Sequence, residues 1–230
     1  MKGTPVDNDV LRQAPLFSAL DDEAATALRA SMSDAKLRRG DVLFHEGDAG
    51  DRLYIVMDGK VKLGRTSSDG RENLLAILGP GQMFGELSLF DPGPRSATVT
   101  AVTDTSFASL SHEDLLKWLD GRPQVARGLL AQIAGRLRKA NDVNADLVFS
   151  DVPGRVAKAL IDLAERFGRQ ADDGIHVSHD LTQEELAQLV GASRETVNKA
   201  LADFASRSWL RLEPRSVVFM DMERMTRRAR

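Results

Sequence analysis

The sequence predicts an α+β protein in which a domain of short β-strands precedes a smaller helical domain. Three observations lead to this prediction: strand-like runs between turns at residues 35–110, a long helical stretch after Pro123, and two helix signals around Gly191. The chain has 230 residues, of which 42% are hydrophobic. This composition is sufficient to bury the cores of two domains.

The first half contains six short runs of strand-forming residues, separated by turns rich in Gly and Asp. The runs are VLFHE, RLYIVM, KVKLGRT, ENLLAIL, ATVTAV and TSFASL. Because the segments between them are too short for crossover helices, we predict an antiparallel β jelly roll or sandwich and not a parallel sheet. Before the strands, residues 9–32 predict two short helices, the second beginning at Asp21 or Asp22.

Helical patterning returns after the strands. Ser111 and Asp114 can cap a short helix that runs to Trp118, and Pro123 begins a long helix that we expect to end at Phe149. Residues of this helix repeat at a spacing of three and four, which is typical of a coiled-coil seam. The seam consists of Leu130, Ile133, Leu137, Ala140, Asn144 and Leu147. We predict that it joins two copies of the chain; packing on its own domain is the alternative.

A break in the helical pattern follows the long helix. Residues 150–154 interrupt it, and Pro153 can open the next helix over residues 155–167. We therefore predict a hinge formed by Phe149, Ser150 and Asp151.

The segment from Leu181 to Leu212 predicts two helices joined by a tight turn. Thr182 and Glu185 form a capping box at the start of the first helix. Gly191 can leave that helix with a positive φ, and Ser193 can cap the second helix. After the helices, LRLE and SVVFM predict a small hairpin that would lie beside the pair as a wing.

The second helix of this pair has one apolar and one polar side. Its polar residues lie near the helix start, where a recognition helix presents side chains to base edges in the major groove. They are Arg194, Glu195, Asn198 and Lys199, and we expect Thr182 and Ser193 to contact phosphates beside them. The alternative is an ordinary solvated helix pair.

Charge is distributed unevenly although the net charge is only −3. Residues 1–114 hold 12 basic and 18 acidic side chains, whereas the rest of the chain holds 19 basic and 16 acidic ones. The tail contains Arg224, Arg227, Arg228 and Arg230. The excess of basic residues in the half with the helix pair supports a phosphate-contacting surface.

Several kinds of site are not expected. The chain has no Cys, which excludes disulfides, thiolate zinc sites and cysteine-ligated iron–sulfur clusters. His176 and His179 form the one close histidine pair; in a strand they would point to opposite faces, so we expect no metal site. No apolar run approaches about 18 residues, and MKGTPVDND does not resemble a signal peptide. We therefore expect a cytoplasmic protein without membrane contact.

A candidate anion site lies in MFGELSLFDPGPRSATVTA, residues 83–101. Gly85 lets the backbone approach closely, and residues 86–88 begin a turn with free amides. An arginine fork at Arg95 and the hydroxyl of Ser96 suit a phosphate, and Glu86 could accept a hydrogen bond from a sugar hydroxyl.

Four segments together resemble the cyclic-AMP receptor protein (CRP/FNR) family of bacterial transcription regulators, and most closely its actinobacterial members. They are EGDAGDRLYIVMDGKVKL, FGELSLFDPGPRSA, FSDVPGRVAKAL and the helix pair. The resemblance implies three parts: a cyclic-nucleotide-binding-like jelly roll at 1–120, a dimerisation helix at 121–149 and a winged helix-turn-helix domain at 150–230. It also implies that the chain forms a homodimer, that the dimer binds double-stranded DNA at a palindromic TGTGA-like site, and that RNA polymerase is a partner.

The resemblance further implies that cyclic AMP is the effector and that the protein is not an enzyme. The implied ligand-binding residues are Gly85, Glu86, Leu87, Arg95, Ser96, Arg136 and Asn141. At Ala140 the family normally has a residue that makes a polar contact with adenine, and alanine has no hydroxyl to offer. One base-reading hydrogen bond should therefore be missing.

Other functions stay open at this point. The same DNA-binding dimer could work without a small ligand or with a different nucleotide. Haem sensing also stays open, although no His or Met stands out as an axial ligand. A cupin-type jelly-roll enzyme is disfavoured, because the strand region contains only His45 where a metal cluster would be required.

Overall fold

A computed structural model of the chain describes residues 5–18, 20–91 and 93–230. The described residues form two compact units. The first unit contains the residues up to 138 apart from 66–74, and the second contains 66–74 and 139–230.

The first unit begins with helices α1 (Pro5–Gln13) and α2 (Asp22–Ala30) and continues as a β sandwich. Its strands are β1 (Ser33–Leu37), β2 (Val42–Phe44), β3 (Arg52–Asp58), β4 (Val61–Thr66), β5 (Glu72–Leu78), β6 (Met83–Phe84), β7 (Thr98–Ala101) and β8 (Thr105–Ser111). One sheet has the order β1-β8-β3-β6 and the other β2-β7-β4-β5, with Thr66 of β4 and residues 72–74 of β5 counted in the second unit. The pairs β1–β8, β2–β7, β3–β8 and β4–β7 are antiparallel, as the sequence predicts for a jelly roll.

Strand β3 separates two cores because its side chains alternate between faces. Leu53 and Ile55 join a cluster with residues of the helices, among them Leu11 of α1 and Leu28 of α2. Val56 joins an inner cluster that includes Phe84 and Phe107, with Tyr54 packed against it. The sheet is therefore covered by helices on one face and by the second sheet on the other.

Helices follow the sandwich. Helix α3 (Leu87–Phe90) is a single turn between β6 and β7, and α4 (His112–Leu119) begins at the cap residue Ser111, as predicted. Helix α5 (Pro123–Phe149) also has its predicted bounds. Only its first part is anchored in the core, through Val125 and Leu129.

The second unit contains a helix-turn-helix with a wing. Helix α6 (Val152–Phe167) precedes the strands β9 (Gly168–Ala171) and β10 (Gly174–Ser178). Then come α7 (Gln183–Val190), α8 (Arg194–Ser206), β11 (Leu210–Glu213), β12 (Ser216–Phe219) and α9 (Met222–Arg228). The four strands form one sheet in the order β11-β12-β10-β9, so the predicted hairpin is an edge of a larger sheet.

Most predicted elements are confirmed, and some predictions need correction. The sequence did not predict β1, β6, β9 or α9, and α6 starts at Val152, with Asp151 as its N-cap, instead of at residue 155. His179 was expected in a strand, but β10 ends at Ser178. His179 is instead buried, and its Nδ1 accepts a hydrogen bond from the Leu181 amide at 3.1 Å.

Leu53 provides a test of the shared core. Leu53→Ala should lower the free energy of unfolding by about 2–5 kcal/mol, because it removes a fully buried side chain between sheet and helices. Leu75→Ala is the matched control, since half of the Leu75 side chain is exposed on β5. Urea unfolding followed by circular dichroism gives both values; equal losses would contradict this assignment of the core.

Candidate functional site

A cavity in the first unit brings together most of the predicted ligand-binding residues. Gly85, Glu86, Leu87, Arg95 and Ser96 line it. The remaining lining residues are Phe44, Leu63, Phe84, Ser88, Ala97, Val99 and Arg136. The wall therefore combines apolar strand residues with two cations and one carboxylate.

Arg95 is a buried cation with few partners. Its side chain is 4% exposed, and its Nη1–H donates to the carbonyl oxygen of Gly85 at 2.9 Å. Its Nε is buried without a hydrogen-bond partner. Burial lowers the pKa of Arg95, and the nearby ionisable groups Tyr54, Asp51, Glu86 and Asp48 oppose the shift. A buried N–H without an acceptor is costly, so this donor is available for an anion.

Glu86 is a buried carboxylate that is only half satisfied. It is fully buried, and Arg136 donates from Nη1 to its Oε1 at 2.5 Å. Arg136 also donates to the carbonyl oxygen of Met83, which ties α5 to β6. The second carboxylate oxygen, Oε2, is buried and has no partner. Two side chains that line the cavity thus each have one unpaired polar atom, an acceptor on Glu86 and a donor on Arg95.

The other predicted ligand residues differ in position. Gly85 has φ +81°, and a Cβ there would lie 2.9 Å from Nη1 of Arg95, so the close approach requires glycine. Ser96 lines the cavity with an exposed side chain. Asn141 and its neighbour Ala140 are exposed on the part of α5 that belongs to the second unit and do not line the cavity.

Sequence reasoning missed the aromatic side chains beside Arg95. The Cζ of Arg95 lies 4.3 Å from the ring centroid of Phe44 and 5.8 Å from that of Tyr54. Burial raises the pKa of Tyr54, which is consistent with a dry environment. Both aromatic residues belong to predicted strands, but nothing local in the sequence indicates that they face an arginine.

The helix pair has the predicted local geometry. Thr182 and Glu185 form both hydrogen bonds of the capping box, and Gly191 closes α7 with φ 68°. Ser193 caps α8 by accepting from the Thr196 amide at 3.2 Å. The buried stripe of α8 is Val197, Ala200, Leu201 and Phe204.

Of the polar side chains at the start of α8, some form hydrogen bonds or ion pairs within the chain and one does not. Arg194 is exposed and forms no ion pair or hydrogen bond within the part of the chain that the structure describes. Lys199 pairs with Glu195 at 2.7 Å, and both are largely exposed. Asn198 is only half-exposed: its Nδ2 donates to Gln183 at 3.1 Å, while its Oδ1 is buried without a partner.

The predicted hinge residues Ser150 and Asp151 are bonded to two arginines to which sequence reasoning gave no such role. Asp151 accepts from the Gly154 amide at 2.9 Å and from Nη2 of Arg228, at 2.6 and 2.7 Å to its two oxygens. These bonds lower the pKa of Asp151, and the bond from Arg228 has the largest effect. Arg155 donates to the carbonyl oxygens of Ser150, Val190 and Gly191 at 2.9, 3.1 and 3.3 Å. The hinge is therefore bonded directly to the turn between α7 and α8.

Two further findings concern the described part of the chain. None of its helices combines the length and the apolar character needed to cross a bilayer. Over the same residues, no group of three or more His, Asp or Glu side chains is arranged to hold a metal ion.

Comparison with known proteins agrees with both parts of the structure. Residues 35–122 match the family described as the cyclic nucleotide-binding domain, and residues 154–228 match the Crp-like helix-turn-helix domain. The CRP-like cAMP-activated global transcriptional regulator of Mycobacterium tuberculosis is 53% identical over 223 residues, which cover 97% of this chain and all of that protein.

Two further relatives extend the comparison. The cyclic AMP receptor protein of Thermus thermophilus is 39% identical over 90% of this chain and 93% of its own length. The structure of the c-di-GMP responsive global regulator CLP of Xanthomonas campestris superposes with a TM-score of 0.73 at 25% identity, covering 86% of this chain and 99% of that one. With such identity along nearly its whole length and both domains in the same order, the chain belongs to the CRP family of DNA-binding transcription regulators.

Proposed function

We propose that the chain is a homodimeric, sequence-specific transcription regulator whose DNA affinity is modulated by cyclic AMP bound in the jelly roll. One observation is central to the proposal: Arg95 and Glu86 line one cavity, and each has a buried side-chain atom without a partner, Nε and Oε2 respectively. We further propose that the jelly-roll domain ends at residue 120 and the dimerisation helix at residue 149. Because bacterial DNA lies in the cytoplasm, we also propose a cytoplasmic location.

The chemistry of the two unpaired atoms suits a cyclic nucleotide. The Nε–H of Arg95 can donate to a phosphate oxygen, and a charge-assisted bond of this kind is stronger than a neutral one. Glu86 Oε2 can accept only, so it requires a donor such as a ribose hydroxyl. We assign Gly85, Leu87 and Ser96 to the same site, where they shape the wall around the phosphate.

The names of two relatives favour cyclic AMP as the ligand, since one is called cAMP-activated and the other a cyclic AMP receptor. Arg136 would support the site through Glu86, and Asn141 would contact the base. The alternative is a different nucleotide, or no ligand at all. It is favoured by Ala140, which lacks a hydroxyl, and by the c-di-GMP responsiveness named for the Xanthomonas relative.

The face of α5 from Leu130 onward supplies the surface for dimerisation. Leu130, Leu137 and Leu147 are each at least half exposed along the predicted seam. Exposed leucines in a seam with a spacing of three and four residues are typical of a helix that packs against a second copy. A two-fold dimer would present two copies of α8 to a palindromic, TGTGA-like site.

On DNA, we assign base contacts to the start of α8. Arg194 can donate two hydrogen bonds to guanine, Glu195 can accept from cytosine, and Lys199 can donate to guanine or thymine. Thr182 and Ser193 would bind phosphates, with Asn198 beside them. RNA polymerase is the expected protein partner.

The proposed hinge supplies a physical route between ligand binding and DNA binding. A ligand at Glu86 would act on Arg136 of α5, and α5 ends at Phe149, next to Ser150 and Asp151. Arg155 bonds Ser150 to the α7–α8 turn. The ligand can shift the equilibrium between two arrangements of the hinge only to the extent that it binds one of them more tightly than the other.

Equilibrium binding to a labelled duplex tests the proposal. The duplex carries two inverted TGTGA half-sites, and a scrambled duplex is the control. We expect specific binding without ligand and tighter binding with cyclic AMP, by about 1–2 kcal/mol of coupling. Equal affinity for both duplexes would contradict sequence recognition. Specific binding that cyclic AMP does not alter would favour the ligand-independent alternative.

Arg194→Ala tests base reading. The variant should lose about 1–3 kcal/mol of binding free energy on the cognate duplex and discriminate less at one base pair. Arg207→Ala, at the far end of the same helix, should bind like the unmutated chain. Fluorescence anisotropy with a set of singly substituted duplexes measures both. A uniform loss across all duplexes would mean that Arg194 contacts a phosphate.

Leu137→Glu tests the dimer seam. Leu137 is 62% exposed in the single chain, so a charge there should not harm the fold of the monomer, but it would be buried in a dimer. We expect the variant to sediment as a monomer at micromolar concentration. Leu116→Glu, on an exposed position of α4, should remain dimeric. A monomeric unmutated chain under the same conditions would contradict the proposal.

Ala140→Thr tests the missing contact to the base. The restored hydroxyl should strengthen cyclic AMP binding by about 0.5–1.5 kcal/mol, the usual net value of one hydrogen bond. Ala145→Thr carries the same change at another exposed position of α5 and should have no effect on binding. Isothermal titration calorimetry measures both affinities. No gain at position 140 would contradict its assignment beside the base.

A further inference from the structure

Among the described residues, no carboxylate lies within ion-pair distance of the Arg95 guanidinium, although the more distant charges of Asp51, Glu86 and Asp48 act on it. Glu86, the carboxylate that lines the cavity, pairs with Arg136. The hydrogen bond of the Arg95 side chain goes to the neutral carbonyl of Gly85. A buried cation without a directly bonded carboxylate gains from any further negative potential at its surface.

Aromatic rings supply that potential. The faces of phenylalanine and tyrosine rings are electron-rich, and they attract a cation within about 6 Å of the ring centroid. The Cζ of Arg95 satisfies this condition for Phe44 at 4.3 Å and for Tyr54 at 5.8 Å. The effect is largest in a desolvated site, and Arg95 is only 4% exposed.

The rings are themselves fixed by neighbouring rings. Phe44 and Tyr54 have centroids 5.9 Å apart, and Tyr54 stacks on Phe84 at 5.4 Å. Phe107 packs edge-on against Tyr54 at 6.2 Å and against Phe84 at 5.8 Å. Contacts of this kind restrict ring rotation, so the surface that Arg95 faces is rigid.

The backbone leaves room for the guanidinium next to the rings. A Cβ at Gly50 would lie 3.0 Å from Cζ of Arg95 and 2.6 Å from Ser88. Any larger residue at position 50 would therefore displace the arginine or the Ser88 side chain. The space between Gly50 and the rings thus fits the planar guanidinium of Arg95.

We propose that Phe44 and Tyr54 are positioning residues of the anion site, which hold the Arg95 guanidinium in the cavity wall with its Nε–H available to the phosphate. The inference rests on the proposed function and adds residues to it. Without the rings, the buried cation would swing toward water, and phosphate binding would have to bring it back. Fixing a ligand-binding group in advance in this way increases affinity.

Calorimetric titration of the full chain with cyclic AMP tests the proposal. Phe44→Leu should weaken binding about tenfold or more, as expected for a desolvated cation–π contact. Phe44→Tyr retains the ring face and should stay within about threefold of the unmutated chain. Phe17→Leu is the matched control, because Phe17 is buried in the same unit but belongs to the cluster on the other face of β3.

A second series separates ring electronics from packing. Phe44 is replaced by phenylalanines carrying one, two or three ring fluorines, which withdraw charge from the ring face and change its volume little. The logarithm of the dissociation constant should rise steadily with the number of fluorines. A mere packing role would give no such trend.

The outcomes distinguish the two proposals. If the unmutated chain does not bind cyclic AMP, the proposed function fails and the positioning role fails with it. If the chain binds but the fluorine series is flat, or Phe17→Leu weakens binding as much as Phe44→Leu, only the positioning role is overturned.

Discussion

The candidate site depends on two polar atoms that are buried without hydrogen-bond partners. The Arg95 Nε and the Glu86 Oε2 are both buried and unpaired, and each should destabilise the free protein by about 1–3 kcal/mol. Such a cost is uncommon in native cores, where buried polar groups are nearly always bonded. The surrounding aromatic cluster and the Arg136 pair reduce it, but they leave one donor and one acceptor for a ligand.

Charged side chains also fix the geometry elsewhere in each unit. In the first unit, Arg136 bonds Glu86 from α5, the helix that ends at Phe149. In the second unit, Arg228 bonds Asp151, the cap residue of α6, and Arg155 bonds Ser150 to the turn between α7 and α8. The proposed route from ligand to DNA would run through these bonds.

Features encoded locally could be predicted from the sequence, whereas features that depend on distant contacts could not. The capping box at Thr182 and the turn at Gly191 involve near neighbours in sequence, and both are confirmed. Helix α9 was read only as a basic tail because its stability depends on Met225, buried where α9 packs on α6. Phe44 reaches Arg95 from a distant strand, and no local pattern reveals that contact.

The most direct test of the central claim is a crystal structure of the full chain with cyclic AMP. The account predicts the nucleotide in the cavity, with a phosphate oxygen within hydrogen-bond distance of the Arg95 Nε and a ribose hydroxyl donating to the Glu86 Oε2. Arg95 should remain over the Phe44 ring. A nucleotide bound elsewhere, or one bound in the cavity while both atoms stay unpaired, would contradict the account.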